Sequence, residues 1–212
     1  MTTTKKIPGI SNIIFDLGGV LLNIDYHKTE QAFVNLGVTN FNELYTQFHA
    51  DSFFKAFEKG EVSPEAFIDR LRSYKDRLTA ENIKAAWNAM LLDFPARRID
   101  FLLNLKKKYR IFLLSNTNAV HYEAFQKIEL NITGDSHALD DCFEKSYYSH
   151  DIGLRKPDRE IFDFVLKDSN LAPGETLFID DTWANVEAAN AVGIHGLYLE
   201  KPFTIEEILK EY

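Results

Sequence analysis

The 212-residue sequence predicts an α/β fold: an open parallel sheet covered by helices on both faces, with an inserted α-helical cap. Three observations predict it. Short apolar runs stop abruptly at polar residues, amphipathic stretches alternate with them in the second half, and residues 26–94 contain no convincing strand. The first run, Ile10 to Phe15, stops at Asp16 and the flexible pair Gly18-Gly19, as a buried strand does on entering a loop. Arg110 to Leu114 ends at Ser115-Asn116, Lys145 to Ser149 gives a third strand, Thr176 to Ile179 ends at Asp180-Asp181, and Ile194 to Leu199 gives a fifth.

The helices between them follow from spacing and end signals. Arg97 to Lys108 carries Ile99, Leu102, Leu103 and Leu105 mostly on one face and closes with three lysines, which suit the helix dipole and read as a solvated end. Pro157 is suited to opening a helix whose apolar side is Ile161, Phe162, Val165 and Leu166. Trp183 to Val192 is a further helix, stopped by Gly193. In residues 26–94 the apolar spacing is helical throughout. Phe53, Phe54 and Phe57 share one helix, Phe67, Ile68 and Leu71 the next, and Ile83, Trp87, Met90 and Leu91 another, which Thr79 starts. These aromatics read as the core of a helical bundle. The expected division is a core of residues 1–23 and 96–212 and a cap of residues 24–95.

Composition narrows the function. With 45% hydrophobic, 13% aromatic and 26% charged residues the chain can bury a core, which excludes a disordered segment. Against 32 acidic side chains stand 24 basic ones, a net charge of −8, which argues against nucleic-acid and anionic-membrane partners. An anionic small substrate then needs local cations or a metal ion. The single cysteine, Cys142, excludes an internal disulfide framework and fits a reducing compartment. Lys5 and Lys6 precede an apolar stretch that Asp16 cuts too short for a signal or a span, so a cytoplasmic location is expected.

Ligands of open parallel sheets bind beyond the carboxyl ends of the strands. There the sequence places Asp16, Ser115 with Asn116, Lys156 and Asp180-Asp181. Any one of these has an ordinary reading: a lone aspartate at a strand end caps a turn, and one of Asp180 and Asp181 could cap the following helix. Together they have a chemical meaning. Several carboxylates in one place stay ionised beside a hard divalent cation with oxygen ligands, most naturally Mg²⁺, which also binds phosphate. The Ser115 hydroxyl, the Asn116 amide and the Lys156 ammonium would then hold phosphoryl oxygens while Asp16 attacks phosphorus in line. The expected partner is a small phosphorylated molecule.

The sequence Ile14-Phe15-Asp16-Leu17-Gly18-Gly19-Val20-Leu21 resembles the first motif of the haloacid dehalogenase-like (HAD) hydrolase superfamily. Leu113-Leu114-Ser115-Asn116, Arg155-Lys156-Pro157-Asp158 and Phe178-Ile179-Asp180-Asp181 resemble the other three, in the right order. Leu114-Ser115-Asn116-Thr117-Asn118, Asp151-Ile152-Gly153-Leu154-Arg155-Lys156-Pro157 and Phe57-Glu58-Lys59-Gly60-Glu61-Val62-Ser63 resemble the subgroup of bacterial α-D-glucose-1-phosphate phosphatases. The resemblance implies a Rossmann-like core with a helical cap after the first motif. It also implies Asp16 as the nucleophile of an aspartyl-phosphate mechanism, with Mg²⁺ bound by Asp16, the Gly18 carbonyl and Asp181, and Asp180 nearby or acting through water. Ser115, Asn116 and Lys156 take the phosphate-holding roles.

One position departs from the superfamily. Most of its phosphatases carry an acid–base aspartate two residues after the nucleophile, where this chain has Gly18. Three explanations follow: a good leaving group such as an anomeric sugar oxygen, a substitute from Asp25, His27 or His121, or loss of turnover in a phosphate-ligand binding protein. The resembled subgroup shares the glycine, which favours the first. A 2-haloacid dehalogenase is the enzymatic alternative, since its aspartate attacks carbon and needs no acid at that position.

Overall fold

The computed structural model describes residues 6–44, 52–75 and 77–212. Lys5 of the amino-terminal pair, and residues 45–51 and 76 of the helical stretch, lie outside them. The chain enters through β1 (Asn12–Phe15) and continues into α1 (Tyr26–Asn35), α2 (Phe41–Leu44), α3 (Ser52–Glu58), α4 (Pro64–Arg72), α5 (Ala80–Asn88) and α6 (Arg97–Lys106). It then alternates: β2 (Arg110–Ser115), α7 (Ala119–Thr133), β3 (Lys145–Tyr148), α8 (Ser149–Ile152), α9 (Arg159–Asp168), β4 (Thr176–Asp180), α10 (Trp183–Ala191), β5 (His195–Tyr198) and α11 (Ile205–Ile208).

All strand pairs are parallel, in the order β3-β2-β1-β4-β5. The chain winds outward from β1 to β3, then crosses to the other side of β1 for β4. The strand order therefore reverses beside β1, and a crevice opens at its carboxyl end. Alternate side chains of the central strands feed two separate cores. Ile13, Phe15, Ile111, Leu113, Leu177 and Ile179 pack with Leu102, Leu105 and Phe125 on one face. On the other, Ile14, Phe112, Leu114 and Phe178 pack with Ile161, Phe162 and Val165 of α9. A strand apolar on both faces is the reason the sequence showed runs rather than alternation.

The helices between β1 and α6 have a core of their own. Phe57 stacks on Phe67 with ring centroids 4.0 Å apart, and Trp87 meets Phe67 at 4.6 Å. Val120, in the first turn of α7, joins that cluster, so these helices sit on the same end of the sheet as the strand tips. Ser63 caps α4 by accepting from Ala66 N–H, with Pro64 in its first turn, and Thr79 caps α5 by accepting from Asn82 N–H.

Three boundaries differ from expectation. Helix α5 ends at Asn88, so Met90 and Leu91 lie beyond it; Leu91 bridges to Ile24 antiparallel, and Asp25 N–H donates to Met90 O at 2.9 Å. Backbone pairing between the two connections of the inserted helices takes the groups a longer helix would have used. Helix α9 starts at Arg159 rather than Pro157, because the backbone N–H and C=O of Lys156 are both bonded to the Asn116 side-chain amide. Helix α6 stops at Lys106, and its lysines are more than a solvated end. Lys106 donates to Asp141 O at 2.8 Å and Lys108 to Tyr212 O at 2.7 Å, tying down two neighbouring segments. Cys142 is buried. Among the described residues, no helix is long and apolar enough to cross a membrane.

Candidate active site

The register of the sheet sets the site. Phe15 lies opposite Leu113 on one side and Ile179 on the other, so Asp16 comes out beside Asp180 of β4, and Ser115 ends β2 two residues beyond Leu113. Asp16 N–H donates to Ile179 O at 2.9 Å, which fixes its backbone against β4. The Lys156 Nζ sits between two carboxylates, 2.7 Å from Asp16 Oδ1 and 2.7 Å from Asp180 Oδ2. Side-chain exposure is 1% for Lys156, 12% for Asp16 and 0% for Asp180, so this triad is cut off from bulk water with only Asp16 showing an edge.

Asp180 is saturated. Besides Lys156 it accepts from Thr182 N–H at 2.8 Å and from the Asn185 amide at 3.0 Å on both oxygens. Asp181 is held more loosely, accepting from the Thr182 hydroxyl at 3.5 Å. Its carboxylate lies against the turn after β1: a Cβ at Gly19, whose φ is +76°, would fall 2.0 Å from Asp181 Oδ2. Only glycine combines that left-handed backbone with so close an approach. Oxygens of Asp16, Asp180 and Asp181 lie within 4.8 Å of one another.

The charge balance is incomplete. Three carboxylates face one ammonium, two charges short of neutrality, in a place largely shielded from water, with Asp181 half-buried. Burial pushes the Asp16 carboxyl up to about 8; Lys156 opposes this and Asp180 and Asp181 reinforce it. Asp181 is raised to about 6 by burial and by Asp180. Burial works to lower Lys156, but Asp16 and Asp180 outweigh it and hold the ammonium above the ordinary lysine range. A nucleophilic Asp16 must be ionised at neutral pH. A divalent cation with hard oxygen ligands supplies the two missing charges, and the donor set suits one.

Ser115 ends β2, buried, and Asn116 follows it half-buried. The Asn116 side chain clasps Lys156, donating from Nδ2 to Lys156 O at 2.8 Å and accepting from Lys156 N–H at 2.9 Å. Gly18 lies in the turn after β1, where it bridges to Leu22. The structure thus gathers Asp16, Lys156, Asp180 and Asp181 within direct reach of one another and joins Asn116 to Lys156.

The sequence spans the haloacid dehalogenase-like hydrolase family over residues 10–193. The chain belongs to that family. This HAD-like hydrolase is 37% identical over 185 residues to a D-ribitol-5-phosphate phosphatase of Bacteroides thetaiotaomicron, covering 87% of this chain and 89% of that one. It is 30% identical to a sesquiterpene phosphatase of Aspergillus oryzae, with 88% of each chain covered. In structure it is similar to a HAD family enzyme of Bacteroides thetaiotaomicron crystallised with magnesium and inorganic phosphate. The TM-score is 0.88 at 34% identity, covering 95% of this chain and 99% of that one.

The three sequence candidates for an acid in place of Gly18 in this HAD-like hydrolase each have other partners. Asp25 caps α1, accepting from His27 N–H at 3.0 Å. His27 is 91% exposed and pairs with Glu30. His121 is buried, stacked on Trp87 at 4.9 Å and bonded through Nδ1 to Asn88 Oδ1 at 2.8 Å, and burial lowers its pKa to about 3. An imidazole that stays neutral there cannot donate as an acid at physiological pH. Sequence reading also missed three participants: Asn185, the amide clasp of Asn116, and Ser149. The Ser149 hydroxyl accepts from Thr117 N–H at 2.9 Å and lies 2.6 Å from Glu58 O. Asn185 was findable, one turn into the helix that follows Asp180-Asp181; the others depend on non-local contacts.

Proposed function

We propose that this HAD-like hydrolase is a Mg²⁺-dependent phosphatase of small phosphomonoesters, sugar or sugar-alcohol phosphates, with Asp16 as nucleophile. The single observation that carries the reading is the set of three carboxylates at the tip of β1, Asp16 and Asp180 buried against one lysine and Asp181 half-buried beside them, short of two positive charges. Asp16, Asp181 and the Gly18 carbonyl would hold the ion, with Asp180 already committed to Lys156, Thr182 and Asn185. Bound there, Mg²⁺ supplies positive charge that keeps the carboxylates ionised and offsets phosphoryl charge.

The residues then act as follows. Asp16 attacks phosphorus, a P–O bond forms to its carboxylate, and the ester P–O bond breaks with its electron pair leaving on the alcohol oxygen. Lys156, Ser115 and the Asn116 backbone amide hold the phosphoryl oxygens and stabilise their charge as it redistributes. Water then attacks the aspartyl-phosphate, which frees inorganic phosphate and restores Asp16. With glycine at residue 18, the leaving oxygen takes its proton from water, which favours alcohols that leave readily, as an anomeric sugar oxygen does. The named activity of the Bacteroides relative supports phosphorylated polyols as an alternative to a glucose-1-phosphate-like substrate. A dehalogenase is disfavoured, because Asp180 and Asp181 would repel a haloacid carboxylate.

The test is phosphate release from a panel of sugar and sugar-alcohol phosphates. Release with Mg²⁺ that disappears on chelation is expected; halide release from 2-haloacids without Mg²⁺, or no release from any ester, overturns the reading. Gly18→Asp probes the leaving-group argument. A Cβ at Gly18 meets the flexible end of Ile24 at 3.1 Å, so the side chain can be accommodated. The added acid should raise turnover of primary-alcohol phosphates by about 10²-fold and of anomeric phosphates much less. An equal effect on both removes the argument.

A further inference from the structure

We propose that Glu58, on the inserted helices, is a positioning residue for Lys156, acting through Arg155; the proposal rests on the phosphatase reading above. Glu58 is the last residue of α3, and Arg155 immediately precedes Lys156. Two guanidinium nitrogens of Arg155 converge on Glu58 Oε2, Nη2 at 2.9 Å and Nε at 3.0 Å. The pair is largely buried, with side-chain exposures of 14% and 17%. Burial opposes the Glu58 charge and Arg155 offsets part of that cost, so losing one member of the pair leaves the other charge buried and uncompensated.

Three more contacts meet at this place. Ser149 Oγ lies 2.6 Å from the Glu58 carbonyl and accepts from Thr117 N–H, two residues beyond Ser115. Gly60, at φ +71°, brings its backbone so close to α8 that a Cβ would fall 2.2 Å from His150 O. Asn116 holds both backbone groups of Lys156. The backbone of Lys156 is therefore gripped by the phosphate-binding loop on one side, and its neighbour Arg155 by the inserted helices on the other. The Glu58 carboxylate thus fixes Arg155, and with it the path of the chain into Lys156, the cation that holds the phosphoryl group.

Glu58→Gln keeps the side-chain shape and removes the charge. With p-nitrophenyl phosphate and Mg²⁺, kcat should fall about 10- to 100-fold, the range in which small displacements of a holding group act. Inorganic phosphate, followed by calorimetry with Mg²⁺, should bind about tenfold more weakly by the same displacement of Lys156. If Glu58 acts through Arg155, the double variant Glu58→Gln/Arg155→Gln should be no worse than Arg155→Gln alone. A merely structural Glu58 lowers the urea midpoint but leaves kcat and phosphate affinity within twofold, and that result overturns the proposal, as do additive losses in the double variant. Should the unaltered protein release no phosphate, the phosphatase reading fails by itself; the calorimetric comparison still decides whether Glu58 places Lys156.

Discussion

Asp16→Asn should abolish phosphate release from every ester the native protein hydrolyses, by at least about 10⁴-fold, as expected when a covalent nucleophile is removed. The loss should come without unfolding. Asp16 is the least enclosed member of the buried triad, and the amide is nearly the same size as the carboxylate. Neutralising it relieves repulsion from Asp180 and Asp181, so in metal-free buffer the variant should be at least as stable as the native protein at pH 8. The sign of the pH dependence follows from the raised pKa. The folded native protein keeps a proton on Asp16 that the unfolded chain gives up near the model carboxylate value of 3.8, so stability is lost as pH rises from there toward about 8. Asparagine has no such slope. Urea melts of both proteins in EDTA, from pH 5 to 8, should diverge as pH increases; parallel curves would show that Asp16 does not carry the charge strain assigned to it.

Lys156→Met should be the most destabilising single change at the site. It leaves Asp16 and Asp180 without their shared counter-charge in a place where side-chain exposure is 12% and 0%. Breaking a buried pair in this way costs about 3–5 kcal/mol, measured as the fall in unfolding free energy in urea with EDTA present. The deficit should be smaller at pH 5 than at pH 8, because protonation of the stranded Asp16 relieves it. Adding Asp180→Asn should recover part of the stability but none of the activity, since the phosphoryl oxygens still lack the ammonium. A fall of less than about 1 kcal/mol, the range of exposed pairs, would mean that the lysine is not the electrostatic centre of the site.

The fold was largely readable because its main signals are local. Strands such as Ile13-Ile14-Phe15 are apolar on both faces, and a buried parallel strand has to be; residues 26–94 kept a helical period because each helix buries one stripe. The errors fell where non-local hydrogen bonds outrank propensity. Met90 and Leu91 carry a helical pattern but pair with residues 23–25, and Pro157 is held out of α9 by the Asn116 grip on Lys156. The acids and the lysine at the strand tips were legible as residue types at the right places. Which of them already has its bonds filled was not: Asp180 and Asp181 are neighbours in the chain, yet one accepts from Lys156, the Thr182 backbone and Asn185, while the other lies against Gly19 with a long bond of 3.5 Å from the Thr182 hydroxyl.

By itself the sequence determined the layered α/β architecture, the helical insert, and the presence of carboxylates and a lysine at or near strand ends, because periodicity and strand termination are written in neighbouring residues. Only the tertiary structure decided how the charges are shared. Lys156 reaches Asp16 and Asp180 across 140 and 24 residues of chain, and Glu58 reaches Arg155 across 97. Distances across such separations are set by how the sheet registers and the inserted helices seat, and burial, which turns those contacts into shifted pKa values, exists only once the chain has packed.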